Sequence, residues 1–141
     1  MSKTFNYTVS IKFHLADPAG IMYFGHIFSL AHDGYEQFVQ AAGYSWNQYF
    51  LSSEHMFPIR HAECDYRKPF RAGEVYDVAV SVAHFSNTSF KMNYIFSRDQ
   101  QEHAVVQIVH ACLDAKTHAK MLLPFEFKQK LSPYLGSEEK I

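Results

Sequence analysis

Asp17 stands in Leu15-Ala16-Asp17-Pro18-Ala19-Gly20-Ile21-Met22-Tyr23-Phe24, a turn-forming stretch that leads directly into a helical pattern. A carboxylate is ionised at neutral pH, and the positive end of a helix favours it by roughly 0.3–1 kcal/mol. The first N–H groups of a helix have no intrahelical acceptors. They can hold the oxyanion that develops on a substrate carbonyl, typically worth about 2.7–4 kcal/mol per donor. A carboxylate that attacks a carbonyl or activates water, next to such donors, makes a compact acyl-transfer site. Taken alone, an Asp before Pro is more often a turn former.

Other side chains could contribute. His26 falls in the first helical turn, where the dipole disfavours a positive ring and leaves a neutral hydrogen-bonding imidazole. His32 lies two turns further on, beside the apolar stripe, and His61 falls on a strand. Glu36 is a rival carboxylate, but its position at the edge of the stripe fits an exposed helix residue better. Cys64 and Cys112 lie in β-like runs without metal-type spacing, which reads as buried free thiols. The histidines show no ligand spacing, so neither metal nor cofactor is expected.

The elements that must position these groups follow from periodicity. Phe5, Tyr7, Val9, Ile11 and Phe13 alternate, predicting a half-buried strand from Phe5 to Leu15. From Phe24 to Ala42, residues Phe24, Phe28, Ala31, Tyr35, Phe38 and Ala42 recur at three- and four-residue steps and define one helical stripe. Gly43 is a C-cap, and Ser45 to Ser53 reads as a short helix or ordered loop. Four strands follow, over Phe57–Tyr66, Val75–Phe85, Ser89–Arg98 and Glu102–Ala115. Arg71-Ala72-Gly73-Glu74, Ser86-Asn87-Thr88 and Asp99-Gln100-Gln101 link them as short turns, so neighbours are antiparallel. A C-terminal helix is expected from Pro124 to Leu135. One helix cannot supply the crossovers of a parallel sheet. The order predicts an α+β fold, an antiparallel sheet of about five strands curling around one long helix. Exposed sheet edges predict a homo-oligomer.

Composition narrows the function classes. The 141 residues suffice for one domain spanning 1–141. Aromatic residues make up 16% of the chain, favouring a sheet-containing protein. The net charge of −1 and scattered Lys and Arg lack the footprint of a nucleic-acid binder. No run reaches the roughly 20 apolar residues of a membrane helix, and the N-terminus has no signal-peptide core. A cytoplasmic protein fits these features.

This order of elements, with Asp17-Pro18-Ala19-Gly20-Ile21-Met22-Tyr23-Phe24 before the helix, resembles the hotdog-fold acyl-CoA thioesterases of the 4-hydroxybenzoyl-CoA thioesterase type. Phe57-Pro58-Ile59-Arg60-His61-Ala62-Glu63-Cys64-Asp65-Tyr66, Pro69 with Gly73-Glu74, and Asn87-Thr88-Ser89-Phe90 add to the likeness. Three features resemble the 1,4-dihydroxy-2-naphthoyl-CoA thioesterase subgroup. They are His32 with Asp33, Tyr35 and Glu36; Pro58 with His61; and His110, Ala115-Lys116-Thr117 and Pro124. The sequence departs from many family members at Gly25-His26, where Asn is common, and at His32, where an acidic residue is common.

The resemblance implies an acyl-CoA substrate, a small aromatic and hydroxylated acyl group, and a homodimer or homotetramer. It implies Asp17 as nucleophile or general base and the backbone at Phe24 and Gly25 as the carbonyl-binding end. Tyr23, His26, His32, His61 and Ser89 would line the pocket. Lys68, Arg71, Lys91, Lys116 and Lys120 are candidates for the CoA phosphates. Rival readings are a short-chain aliphatic acyl-CoA thioesterase, a hotdog hydratase, and a non-catalytic acyl-CoA or acyl-carrier binding protein. No Asp-x-Asn-Pro-x-His type signature supports the hydratase.

Overall fold

The computed structural model describes residues 2–136. Its elements run β1 (Phe5–Ser10), α1 (His26–Ala41), α2 (Trp46–Phe50), β2 (His55–Met56), β3 (Ile59–Tyr66), β4 (Val75–Phe85), β5 (Ser89–Arg98), β6 (Gln101–Ala111), β7 (Leu113–Asp114) and α3 (Phe125–Leu131). Short 3-10 turns lie at Phe13–Leu15 and Ser132–Tyr134. Five strands form one antiparallel sheet in the order β1-β4-β5-β6-β3, and β2 pairs with β7 in a separate ladder. The fold is therefore α+β with a five-stranded antiparallel sheet, as the pattern predicts.

Side-chain alternation fixes the sheet's core face. Tyr76, Val78, Val80 and Val82 of β4 are buried, as are Phe90, Met92, Tyr94 and Phe96 of β5. In β6 the buried set Ala104, Val106 and Ile108 continues to His110, which is only 2% exposed. A histidine thus occupies a position where the strand's period calls for an apolar residue.

Helix α1 buries Ile27, Ala31, Gly34, Tyr35, Phe38 and Val39. The Tyr7 hydroxyl of β1 donates to the Leu30 carbonyl of α1 at 2.8 Å. Any Cβ at residue 34 would overlap the Tyr7 ring, so glycine permits the close approach of strand and helix. Gly43 has φ +113° and its N–H donates to the Gln40 carbonyl, the C-terminal stop that the sequence implies.

Element ends depart from the expectation in several places; β3 starts at Ile59 instead of Phe57, since Pro58 has no N–H to give a ladder. β1 stops at Ser10, because Ile11 turns inward: its N–H donates to Glu74 and its carbonyl accepts from Gly73. Helix α1 begins at His26, so Phe24 lies outside the stripe and is 64% exposed, while Ile27 and Val39 join the buried face. β6 ends at Ala111, and Leu113–Asp114 turn away to pair with His55–Met56. The C-terminal helix ends at Leu131, where Pro133 tightens the following turn by removing a backbone donor. No helix among the described residues is long and apolar enough to cross a membrane.

Candidate active site

Asp17 begins a tight hairpin. Its N–H donates to the Ile21 carbonyl and its carbonyl accepts from the Gly20 N–H, both at 2.9 Å. Its side-chain Oδ1 accepts from the Ala19 N–H at 2.9 Å and the Ile21 N–H at 3.3 Å. Gly20, with φ +80°, supplies the left-handed residue that this turn requires. The turn is anchored to the sheet linker: Met22 N–H donates to Phe70, and Ala72 N–H donates to Gly20. In a single protomer the Asp17 side chain is exposed.

The chain enters α1 immediately afterwards. Tyr23 N–H donates to Leu15 and His26 N–H donates to Tyr23. The N–H groups of Phe24 and Gly25 make no hydrogen bond within the described residues. The Phe24 carbonyl is held by the Tyr66 hydroxyl of β3, which fixes the peptide at the helix entrance. Around the turn, Phe13 is 91% exposed, Tyr23 53% and Phe24 64%. Tyr23 and Phe24 pack against each other and expose apolar surface just after the Asp17 turn.

The structure brings some of the sequence-predicted residues together. Tyr23, Phe24 and His26 cluster, with the Tyr23 ring 4.7 Å from Phe24 and 5.4 Å from His26. Arg71 is paired with Ile21 in an isolated bridge and so flanks the Asp17 turn. His26 also lines a groove of about 370 Å³ between β1 and α1, together with Tyr7, Lys12, His14 and Asp33.

The others lie elsewhere. His61 is exposed on edge strand β3 and pairs with Glu63 at 3.4 Å. Ser89 Oγ lies 2.6 Å from Ser86 Oγ at the β4–β5 turn. Lys68 donates to Gln101, Lys116 lies in the loop capped by the Asp114 carboxylate, and Lys91 is on β5. Glu36 accepts from the Trp46 indole at 2.7 Å, tying α1 to α2, which is a structural use of that carboxylate. Both cysteines are free. Burial pushes the Cys64 thiol up to about 12, with Asp65 adding to it, and Cys112 up to about 11. Neither is a thiolate nucleophile near neutrality.

His32 enters a second cavity of about 200 Å³, where Tyr35, Tyr49, His55, Phe57 and His110 join it. The His110 ring packs against Tyr35, 4.7 Å away at 18°, and Phe90, 4.9 Å away at 5°, and those two rings are themselves only 6.5 Å apart. Its Nδ1 lies 2.9 Å from the Phe57 carbonyl. A carbonyl only accepts, so Nδ1 carries the proton and Nε2 keeps a lone pair. Burial, with the neighbouring His32, lowers this imidazole to about 4. Sequence reasoning gave no site role to His110, His55 or Tyr49, and it placed Tyr35 on the apolar helical stripe. The detectable signal was His110, a polar break in the inward set Ala104, Val106, Ile108.

The sign of the His110 shift gives a stability prediction. Between pH 6.5 and 4 the unfolded histidine is protonated and the folded one is not, so the unfolded chain binds more protons. Stability is therefore full above 6.5 and is lost as pH falls toward 4, by up to about 3 kcal/mol. Urea unfolding midpoints across this range are expected to fall with pH in the native chain and to fall less in His110→Gln. Equal slopes would assign the acid sensitivity to other groups.

The family model of the thioesterase-like superfamily matches residues 11–131, and the chain belongs to that superfamily. It is 30% identical over 115 residues to a 1,4-dihydroxy-2-naphthoyl-CoA hydrolase of Synechococcus elongatus, covering 81% of this chain and 85% of the relative. It is 27% identical over 128 residues to the Nostoc punctiforme protein of the same name, covering 91% and 86%. The crystal structure of a 1,4-dihydroxy-2-naphthoyl-CoA thioesterase from Synechocystis superimposes with a TM-score of 0.82. That likeness covers 92% of this chain and 96% of the other at 23% identity, and it concerns the fold.

Proposed function

We propose that the protein is an acyl-CoA thioesterase that hydrolyses a hydroxylated aromatic CoA thioester of the 1,4-dihydroxy-2-naphthoyl type. The observation that carries this reading is the Asp17 hairpin, which precedes a helix whose Phe24 and Gly25 N–H groups have no acceptor among the described residues. The thioester carbonyl oxygen accepts from those amides, with Phe24 the main donor. Asp17 attacks the carbonyl carbon or takes a proton from the water that does. The tetrahedral intermediate expels CoA as a thiolate, a good leaving group, so no strong general acid is needed. Water supplies the oxygen of the carboxylic acid and the proton of the thiol. The names of the two cyanobacterial relatives support the acyl class.

In this reading the chain is one hotdog domain, its sheet curved around α1. A second copy completes the site by covering Phe13, Tyr23, Phe24 and the exposed edge of β3, giving a homodimer or a homotetramer. Tyr23, His26 and His32 line the acyl path, and Lys68, Arg71, Lys91 and Lys116 are the basic candidates for the CoA phosphates. Two free cysteines favour a cytoplasmic setting.

A thiol-release panel tests the proposal. The expected result is turnover of 1,4-dihydroxy-2-naphthoyl-CoA and 4-hydroxybenzoyl-CoA well above straight-chain esters. Preference for short aliphatic esters would overturn the acyl assignment. Tight CoA-ester binding without thiol release would identify a binding protein.

A further inference from the structure

We propose that the cavity between α1, α2 and β6 reads a ring hydroxyl of the acyl group, with His110 Nε2 as the acceptor that selects it. This rests on the thioesterase reading and adds a specificity determinant to it.

The cavity holds polar atoms that the protein does not satisfy. Among the described residues, Tyr35 Oη, Tyr49 Oη, His55 Nδ1 and His110 Nε2 are buried without a hydrogen-bond partner. All four side chains line the same space. A native core seldom leaves several such groups together, since each unsatisfied one costs about as much as a lost hydrogen bond. The ligand that satisfies them must match their chemistry. His110 Nδ1 is committed to the Phe57 carbonyl, and the ring packs against those of Tyr35 and Phe90, which holds its orientation. Nε2 is therefore a fixed acceptor and calls for an O–H or N–H donor. The two phenols accept or donate as needed. The walls are aromatic rings, with Tyr49 and Phe57 stacked 5.5 Å apart. About 200 Å³ suits an aromatic ring rather than a long chain. A neutral hydroxylated arene meets each requirement, whereas a phenolate or carboxylate would face the Nε2 lone pair.

Position links this cavity to the helix entrance. The Tyr66 end of β3 reaches Phe24 at the helix entrance, and its Ile59 end pairs with His110. His32 follows Gly25 by seven residues, roughly 10 Å along the helix. Helical side chains lean toward the N-terminus, so His32 reaches back toward the bound carbonyl. Its ring centre is 6.3 Å from that of His110. On this reading a thioester held at the Phe24 amide extends its ring along α1 toward this cavity.

The test compares kcat/KM for 1,4-dihydroxy-2-naphthoyl-CoA and 2-naphthoyl-CoA in the native enzyme, His110→Gln, Tyr35→Phe and Tyr49→Phe. The native enzyme is expected to favour the hydroxylated ester by at least about tenfold, the scale of leaving one buried acceptor unpaired. The ratio is expected to fall below about threefold in His110→Gln, with the change in KM. The two Phe variants, which lose one hydroxyl each, are expected to reduce the ratio in part and serve if His110→Gln does not fold. A native ratio near one overturns the proposal, as does a ratio kept in every folded variant. Absence of thiol release from both esters by the native enzyme would instead overturn the thioesterase reading itself.

Discussion

Asp17→Asn is expected to lower kcat on the best aromatic CoA ester by about 10²–10⁴-fold, the contribution of a positioned base or nucleophile. The substitution separates chemistry from structure because of what each side-chain atom does. Oδ1 accepts from the Ala19 and Ile21 N–H groups, and an Asn Oδ1 accepts the same two bonds. The hairpin, the Gly20 bend and the anchoring of the turn on Phe70 and Ala72 are therefore kept. What is lost is the negative charge and the basic oxygen that the proposed mechanism uses. The melting temperature and the affinity for a non-hydrolysable CoA thioether are expected to stay near the native values while turnover falls. A pure, folded Asp17→Asn protein that releases thiol at the native rate would remove Asp17 from the mechanism.

Phe127→Ala is expected to cost about 3–5 kcal/mol of stability, the usual range for truncating a buried Phe, and to lower the melting temperature by about 10–20 °C. Phe127 is fully buried on α3 and packs its ring 4.5 Å from Phe57 and 4.8 Å from Phe90. Those two residues also hold His110, Phe57 through its carbonyl and Phe90 through its ring face. The cavity left by truncation therefore loosens the frame that fixes the His110 tautomer. Phe127→Leu, which refills most of the volume, is expected to recover at least half of the loss. Calorimetry on the three proteins measures this directly. A shift below about 3 °C in Phe127→Ala would show that α3 is not integral to the core.

These expectations differ in how far they were visible before folding. β4 and β5 are legible to the residue, because the inward apolar series Tyr76, Val78, Val80, Val82 and Phe90, Met92, Tyr94, Phe96 recur at every second position and Ser86-Asn87-Thr88 breaks them. The β2–β7 ladder is not legible, since two-residue strands have no period to detect. Phe24 shows a second limit. Its spacing fits the α1 stripe, yet Met22 and Tyr23 are engaged by Phe70 and Leu15, and this delays the helix to His26. The Asp17 turn is different in kind. The hydrogen bonds that close it all lie between Asp17 and Ile21, so Asp, Pro and Gly specify its shape locally, while Phe70 and Ala72 anchor it to the sheet.

The chain alone determined which faces of its strands and of α1 are apolar, where the turns fall, and that a carboxylate precedes a helix entrance. Each of these is encoded by neighbours within one or two turns of backbone. Only the tertiary structure decided that His32 and Tyr35 of α1, Tyr49 of α2, His55 of β2 and His110 of β6 converge on one cavity. Periodicity states that a side chain points inward but not what it meets there. That meeting depends on how the sheet and helices pack together, which is set by the joint burial of many distant residues rather than by any local pattern.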